Sequence, residues 1–154
     1  MCQSSLVDFD KIERENGLVI KSNSKGRAVY TTRELSRGTI LCSYPGELIS
    51  AKEGYSRESA YLKKNPNMLN YLYWFDANGE KLCYDATEET GGVGRLINHS
   101  IKNPNLVTKV STNGPRPVLY FVAIKNILPD TELLYNYGET RKDVIQTFPW
   151  LKDS

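Results

Sequence analysis

Asn78-Gly79 sits between two β-rich runs, Tyr-Leu-Tyr-Trp-Phe-Asp at 71–76 and Glu-Lys-Leu-Cys-Tyr-Asp at 80–85. A two-residue turn that matches the twist of its strands needs positive φ at both central positions, and Asn-Gly supplies this at low steric cost. The spacing predicts an antiparallel hairpin over 71–85. Elsewhere too the pattern is short and punctuated. Residues 18–21, 28–32, 39–44 and 48–49 read as small strands separated by Ser-Lys-Gly, Ser-Arg-Gly and Pro-Gly, in the manner of a meander. Residues 118–123, Val-Leu-Tyr-Phe-Val-Ala, are apolar nearly throughout, the pattern of a strand buried on both faces, and a short strand is expected near Leu133.

Helices are few. Residues 8–16 suit a short polar helix that stops at Gly17. Ser50 followed by Glu53 matches a capping box and opens a helix that runs to Lys64, ahead of Asn-Pro-Asn, although Gly54 weakens it. A last helix is expected over 141–147. The fold class is therefore mainly β with short helices. At 154 residues one domain is expected, able to bury roughly 68–70% of its unfolded surface without a staple.

Composition narrows the function. With 40% apolar and 25% charged residues the chain has the make-up of an ordinary globular domain, and no run approaches the ~20 apolar residues of a membrane span. A formal charge of +2 gives no general grip on a polyanion, and Lys63, Lys64, Lys102 and Lys109 read as a solvated face. Cys2, Cys42 and Cys83 are widely spaced and odd in number, so reduced thiols are expected. The opening Met-Cys-Gln-Ser-Ser has no signal-peptide character, which suggests a reducing, non-secreted compartment. His99 is the single histidine, so no metal site is expected. Nucleotide P-loop and hydrolase motifs are absent.

Ten tyrosines stand out, several of them where strands end: Tyr44, Tyr71, Tyr73, Tyr135 and Tyr137. Singly, a tyrosine is an amphipathic core filler. Together, such rings build an aromatic-walled channel suited to a cationic or methylated amine, which suggests lysine recognition.

Four ordered blocks then carry a resemblance: Lys-Gly-Arg-Ala at 25–28, Ser-Tyr-Pro-Gly-Glu-Leu-Ile at 43–49, Gly-Arg-Leu-Ile-Asn-His-Ser at 94–100 and Glu-Leu-Leu-Tyr-Asn-Tyr-Gly at 132–138. In order and spacing the chain resembles SET-domain protein lysine methyltransferases. Tyr-Asp-Ala-Thr-Glu-Glu-Thr at 84–90 and Phe-Pro-Trp-Leu at 148–151 make it most similar to the histone H4 monomethyltransferases that act on the lysine at position twenty. The resemblance implies several small curved sheets around a pseudoknot, with the segment near 132–138 passing beneath a loop. It divides the chain into an N-terminal flank at 1–24, a SET domain at 25–138 and a C-terminal flank at 139–154. Without the cysteine cluster of zinc-bearing relatives, the C-terminal helix and Trp150 would close the cofactor site.

The implied reaction is in-line methyl transfer from S-adenosylmethionine to a lysine amine, with positioning as the main contribution. A free lysine has a pKa of about 10.4, so at neutral pH its amine form lies about 4–5 kcal/mol uphill. Desolvation and the sulfonium charge both push the proton off, and no dedicated general base is needed. By resemblance Tyr137 is the catalytic tyrosine, Tyr44 and Tyr73 complete the channel wall, and the Tyr135 hydroxyl limits the product to monomethyl-lysine. Lys25, Gly26, Arg27, Tyr71, Asn98, His99 and Trp150 match cofactor contacts. Asn98 would offer donor and acceptor, His99 its backbone and packing, and Trp150 a face for adenine. Ala28 stands where many relatives have Gly, and Asn136 where Asp is frequent.

The implied partner is a histone tail peptide or nucleosome, histone H4 favoured, with nucleic acid met only through the nucleosome, no membrane, a monomeric state and a nuclear or cytoplasmic location. Two other readings remain open at this point: a SET methyltransferase acting on another histone site or a non-histone protein, and an inactive domain that binds lysine or methyl-lysine peptides.

Overall fold

A computed structural model describes residues 7–67 and 71–154, so Cys2 lies outside the described residues. The short helix α1 (Phe9–Glu15) begins at Asp8, whose carboxylate accepts the Lys11 N–H at 3.0 Å, and ends just before Gly17, where φ is +66°. The first sheet follows, with β1 (Leu18–Asn23) antiparallel to β2 (Gly26–Thr31) and β10 (Thr131–Glu132) on the other edge of β2.

The expected meander is not formed. β3 (Ile40–Ser43) leaves the first sheet to pair with β9 (Val118–Ala123), which also pairs with β8 (Leu106–Ser111), while β4 (Glu47–Ser50) pairs with β6 (Glu80–Asp85). Burial explains the choice. Leu41 and Cys42 are fully buried, Cys42 lies opposite the equally buried Phe121, and the free edge of β2 is taken by β10. β9 is not buried on both faces either. Leu119, Phe121 and Ala123 point into the core, whereas the alternate residues are half-covered, partly by α1, with the Phe9 ring 5.8 Å from that of Tyr120.

The hairpin of β5 (Leu72–Ala77) and β6 forms as the sequence predicts, with φ of 54° at Asn78 and 79° at Gly79. Helix α2 (Ala51–Lys64) starts at Ser50, whose hydroxyl accepts the Glu53 N–H at 3.2 Å. Only half of the capping box is made, because the Glu53 carboxylate accepts from Arg57 Nε at 2.8 Å instead. Gly54 has a packing reason: a Cβ there would meet Trp74 Cη2 at 2.5 Å. The Tyr61 hydroxyl and Arg57 Nη1 donate to Asp85 at 2.6 and 3.0 Å, which roots α2 on β6.

One crossing positions everything that follows. β7 (Asn98–His99) lies parallel to β11 (Leu134–Tyr135), although 35 residues separate Leu134 from His99 in sequence. On the other side of β11, the Leu134 N–H donates to Asn105 Oδ1 at 2.9 Å and the Asn105 N–H to the Leu134 carbonyl at 3.0 Å. Residues 98–105 thus clasp the 132–135 segment between their two ends. Beyond it come α3 (Lys142–Thr147) and α4 (Trp150–Asp153), which pack on each other. Cys42 and Cys83 are buried free thiols, and burial pushes the Cys83 thiol up to about 12.

Candidate active site

The clasped crossing puts Tyr135 and Tyr137 at the centre of a cluster of rings. Tyr135 is 4% exposed, and its ring centroid lies 4.8 Å from Phe121, 4.9 Å from Tyr137 and 6.1 Å from Tyr73. Tyr44, at the end of β3, is 5.5 Å from Tyr73. Alternation along β11 and beyond is what aims residues 135 and 137 the same way.

Most of these hydroxyls have fixed partners. Tyr44 donates to the Tyr71 carbonyl at 3.2 Å, Tyr137 donates to the Ile97 carbonyl at 3.0 Å, and Tyr73 shares a hydrogen bond of 2.7 Å with Thr108. The Tyr135 hydroxyl has no hydrogen-bond partner among the described residues. Burial, reinforced by neighbouring phenols, pushes the Tyr44 and Tyr135 pKa well above the ordinary value, and burial raises that of Tyr137. All are therefore neutral phenols near pH 7.

Beside the rings lies a cleft of about 500 Å³, within the range of small-molecule sites. Nine of the eleven residues singled out in the sequence line it: Tyr44, Tyr73, Tyr135 and Tyr137, with Lys25, Arg27, Tyr71, Asn98 and Trp150. Gly26 and His99 do not. Gly26, with φ +108°, is needed for its turn, and the open space around it gives no close backbone approach. The His99 ring lies behind the wall, and both its nitrogens are engaged: Nδ1 accepts the Tyr137 N–H at 2.9 Å and Nε2 donates to the Leu151 carbonyl. Its role runs through the side chain as well as the backbone and packing.

At the Lys25 end of the cleft, Glu132 organises the polar groups. Its carboxylate takes Lys25 Nζ at 2.8 Å and Asn98 Nδ2 at 3.1 Å, and Asn98 Nδ2 also donates to the Arg27 carbonyl at 3.1 Å. The Asn98 amide donor is thus committed, and its Oδ1 has no hydrogen-bond partner among the described residues. Arg27 is held by Glu89 through three contacts of 3.1–3.3 Å. The Trp150 ring is 44% exposed and stands edge-on to His99 and Tyr137. Ala28 is buried in the core, and Asn136 Oδ1 accepts the Gly138 N–H at 2.8 Å.

Sequence reasoning missed Arg95, which is 7% exposed and lies over the Tyr71 ring at 3.9 Å. Its Nε and Nη2 donate to the Ala86 and Thr87 carbonyls at 2.7 and 3.2 Å, so it fixes the loop under Tyr71. An arginine set in the apolar run Leu96-Ile97 was the available signal, since a buried charge requires partners. Arg141 and Glu58, also on the cleft, were missed too.

Comparison with known proteins matches this architecture. The SET domain family model matches residues 26–138. N-lysine methyltransferase KMT5A-B of Xenopus laevis is 43% identical over 129 residues, 84% of this chain and 38% of that protein. Histone-lysine N-methyltransferase Set8 of Drosophila melanogaster is 40% identical over 140 residues, 90% of this chain and 20% of that protein. Among solved structures, CpSET8 from Cryptosporidium superposes with a TM-score of 0.72 at 37% identity, covering 80% of this chain and 58% of that one. A structure of ctPRC2 bound to S-adenosylmethionine gives 0.68 at 26% identity, covering 88% of this chain and 17% of that one. The chain belongs to the SET-domain family. It spans between a fifth and two fifths of the length of these two curated relatives.

Proposed function

We propose that this chain is an S-adenosylmethionine-dependent protein lysine methyltransferase that adds a single methyl group to the lysine at position twenty of histone H4. The observation that carries the reading is the convergence of Tyr44, Tyr73, Tyr135 and Tyr137 on one cleft that Lys25, Asn98 and Trp150 also line. That second donor set fits the cofactor. Asn98 Oδ1, with no partner among the described residues, can accept from an ammonium; Lys25, paired with Glu132 at 2.8 Å, keeps two N–H donors for a carboxylate; and Trp150, 44% exposed, offers an aromatic face. When bound, S-adenosylmethionine supplies a methyl group made electrophilic by its sulfonium sulfur.

The chain's own residues prepare the amine. Enclosure by phenol rings removes water from a lysine head and so disfavours its ammonium form, the step that costs about 4–5 kcal/mol in solution. None of the tyrosines serves as the base, because burial holds them protonated. Tyr137, its proton directed to Ile97, offers oxygen lone pairs that accept from the amine N–H and orient it. Tyr135, with no competing partner among the described residues, donates to the amine or to a water and fills the room a second methyl would need. Positioning of this kind is the larger part of the rate effect.

The relatives named as lysine methyltransferases support a histone substrate, a chromatin location in the nucleus and a tail peptide or nucleosome as partner. A mass-detected methyl transfer assay on each core histone separately, free and in nucleosomes, tests the reading. Exclusive monomethylation of histone H4 at that lysine is expected. Cofactor-dependent transfer elsewhere would overturn the substrate assignment, and no cofactor binding at all would leave a peptide-binding domain.

A further inference from the structure

The cleft has a wall built from two pieces of chain, α2 with β5 on one side and the C-terminal flank on the other, and a single side chain spans them. Arg141 Nη1 and Nη2 donate to the two carboxylate oxygens of Glu58 on α2, both at 2.8 Å. The same guanidinium reaches back to Glu139, with Nη2 at 2.8 Å and Nε at 3.1 Å from its two oxygens. Its Cζ lies 6.0 Å from the Trp74 ring, which is itself stacked on Tyr55 at 4.4 Å. Arg141, Glu58, Glu139, Trp74 and Tyr55 all belong to the cleft lining.

We propose that Arg141 is a strap across the cleft, fastening the C-terminal flank to α2 and so fixing the gap through which a peptide reaches Tyr135 and Tyr137. An exposed ion pair contributes little, but two parallel forks on one guanidinium are the geometry in which such pairs count. The carboxylates are well shielded, with side chains 14% and 19% exposed. The flank needs the tie. Its far end is held by His99, Ser100 and Lys102, which bond the Leu151 and Ser154 carbonyls. Between these anchors and Gly138, no other hydrogen bond or ion pair joins the flank to α2 among the described residues.

The peptide half of this inference rests on the methyltransferase reading; the mechanical half does not, and the test separates them. In the intact chain without ligands, amide hydrogen exchange over 139–151 is measured for the native protein, Arg141→Ala, Glu58→Gln, the milder Arg141→Lys, and the swap of Glu58→Arg with Arg141→Glu. A lysine is a point charge that cannot make both forks. Exchange in that segment is expected to rise about tenfold or more in the three single variants, with 118–123 unchanged and the swap restored toward native protection. Unchanged exchange in the single variants, or a swap no better than either, overturns the strap. In methyl transfer, the single variants are expected to raise KM for the peptide about tenfold while kcat stays within about threefold. A kcat loss at constant KM overturns the role in access, whatever the exchange result; absence of all transfer by the native chain fails the functional reading and leaves the exchange result to decide the strap.

Discussion

His99 Nδ1 accepts the backbone N–H of Tyr137 at 2.9 Å. That bond requires an unprotonated Nδ1, so the neutral ring carries its proton on Nε2 and donates it to Leu151. One imidazole therefore links the segment that carries Tyr137 to the C-terminal flank.

Burial lowers the His99 pKa below its usual value. The unfolded chain then binds a proton that the folded chain resists, so stability is fully present above the unfolded value, about 6.5, and is lost as pH falls through the folded value. The expected slope is at most about 1.4 kcal/mol per pH unit for one proton. Urea unfolding at about pH 7.5 and about pH 5.5 checks it. His99→Gln should be less stable at the upper end and lack this part of the slope. An unchanged slope would remove His99 from this role.

Tyr135→Phe keeps the ring packed on Phe121 and Tyr137 and removes one hydroxyl. Dimethyl-lysine is expected to appear as a major product. Product mass spectra that still show monomethyl-lysine alone would refute the assignment.

Tyr137→Phe removes the oxygen now bonded to Ile97. Turnover should fall on the order of 10²–10³-fold, the usual loss when one positioned polar group is deleted. Cofactor affinity, measured by calorimetry, should hold. Near-native kcat would show that Tyr137 is a wall residue.

Gly54→Ala gains about 1 kcal/mol of helix propensity but forces a methyl against Trp74. Overpacking of this kind costs about 1–3 kcal/mol. A net loss of stability with altered Trp fluorescence is expected; a stabilised variant would show that the Trp74 ring yields freely.

What the sequence discloses is what is local. The turn at Asn78-Gly79, the Ser50 cap and the stop at Gly17 depend on a few adjacent residues and form as read. Sheet partners depend on distant chain, so β3 beside β9 and β4 beside β6 were not legible from short strands alone. β8, Leu-Val-Thr-Lys-Val-Ser, is not predicted by its sequence, because Lys109 and Thr108 dilute the apolar signal. The resemblance to the SET family implies a shared site for the tyrosines and Asn98, and they line one cleft, yet the Glu58–Arg141 tie joins residues 83 apart with no motif around either.

Leu134 and Tyr135 are seated between Asn98-His99 and Asn105, segments that leave the ribosome earlier. Synthesis thus delivers three sheets' worth of pairing partners before Tyr135, the centre of the ring cluster, exists. That piece must then slot into a waiting collar, the kind of non-local closure that folds slowly. The ring-lined cleft is completed late in assembly, so a chain cut short before residue 134 would be a scaffold without its central tyrosines.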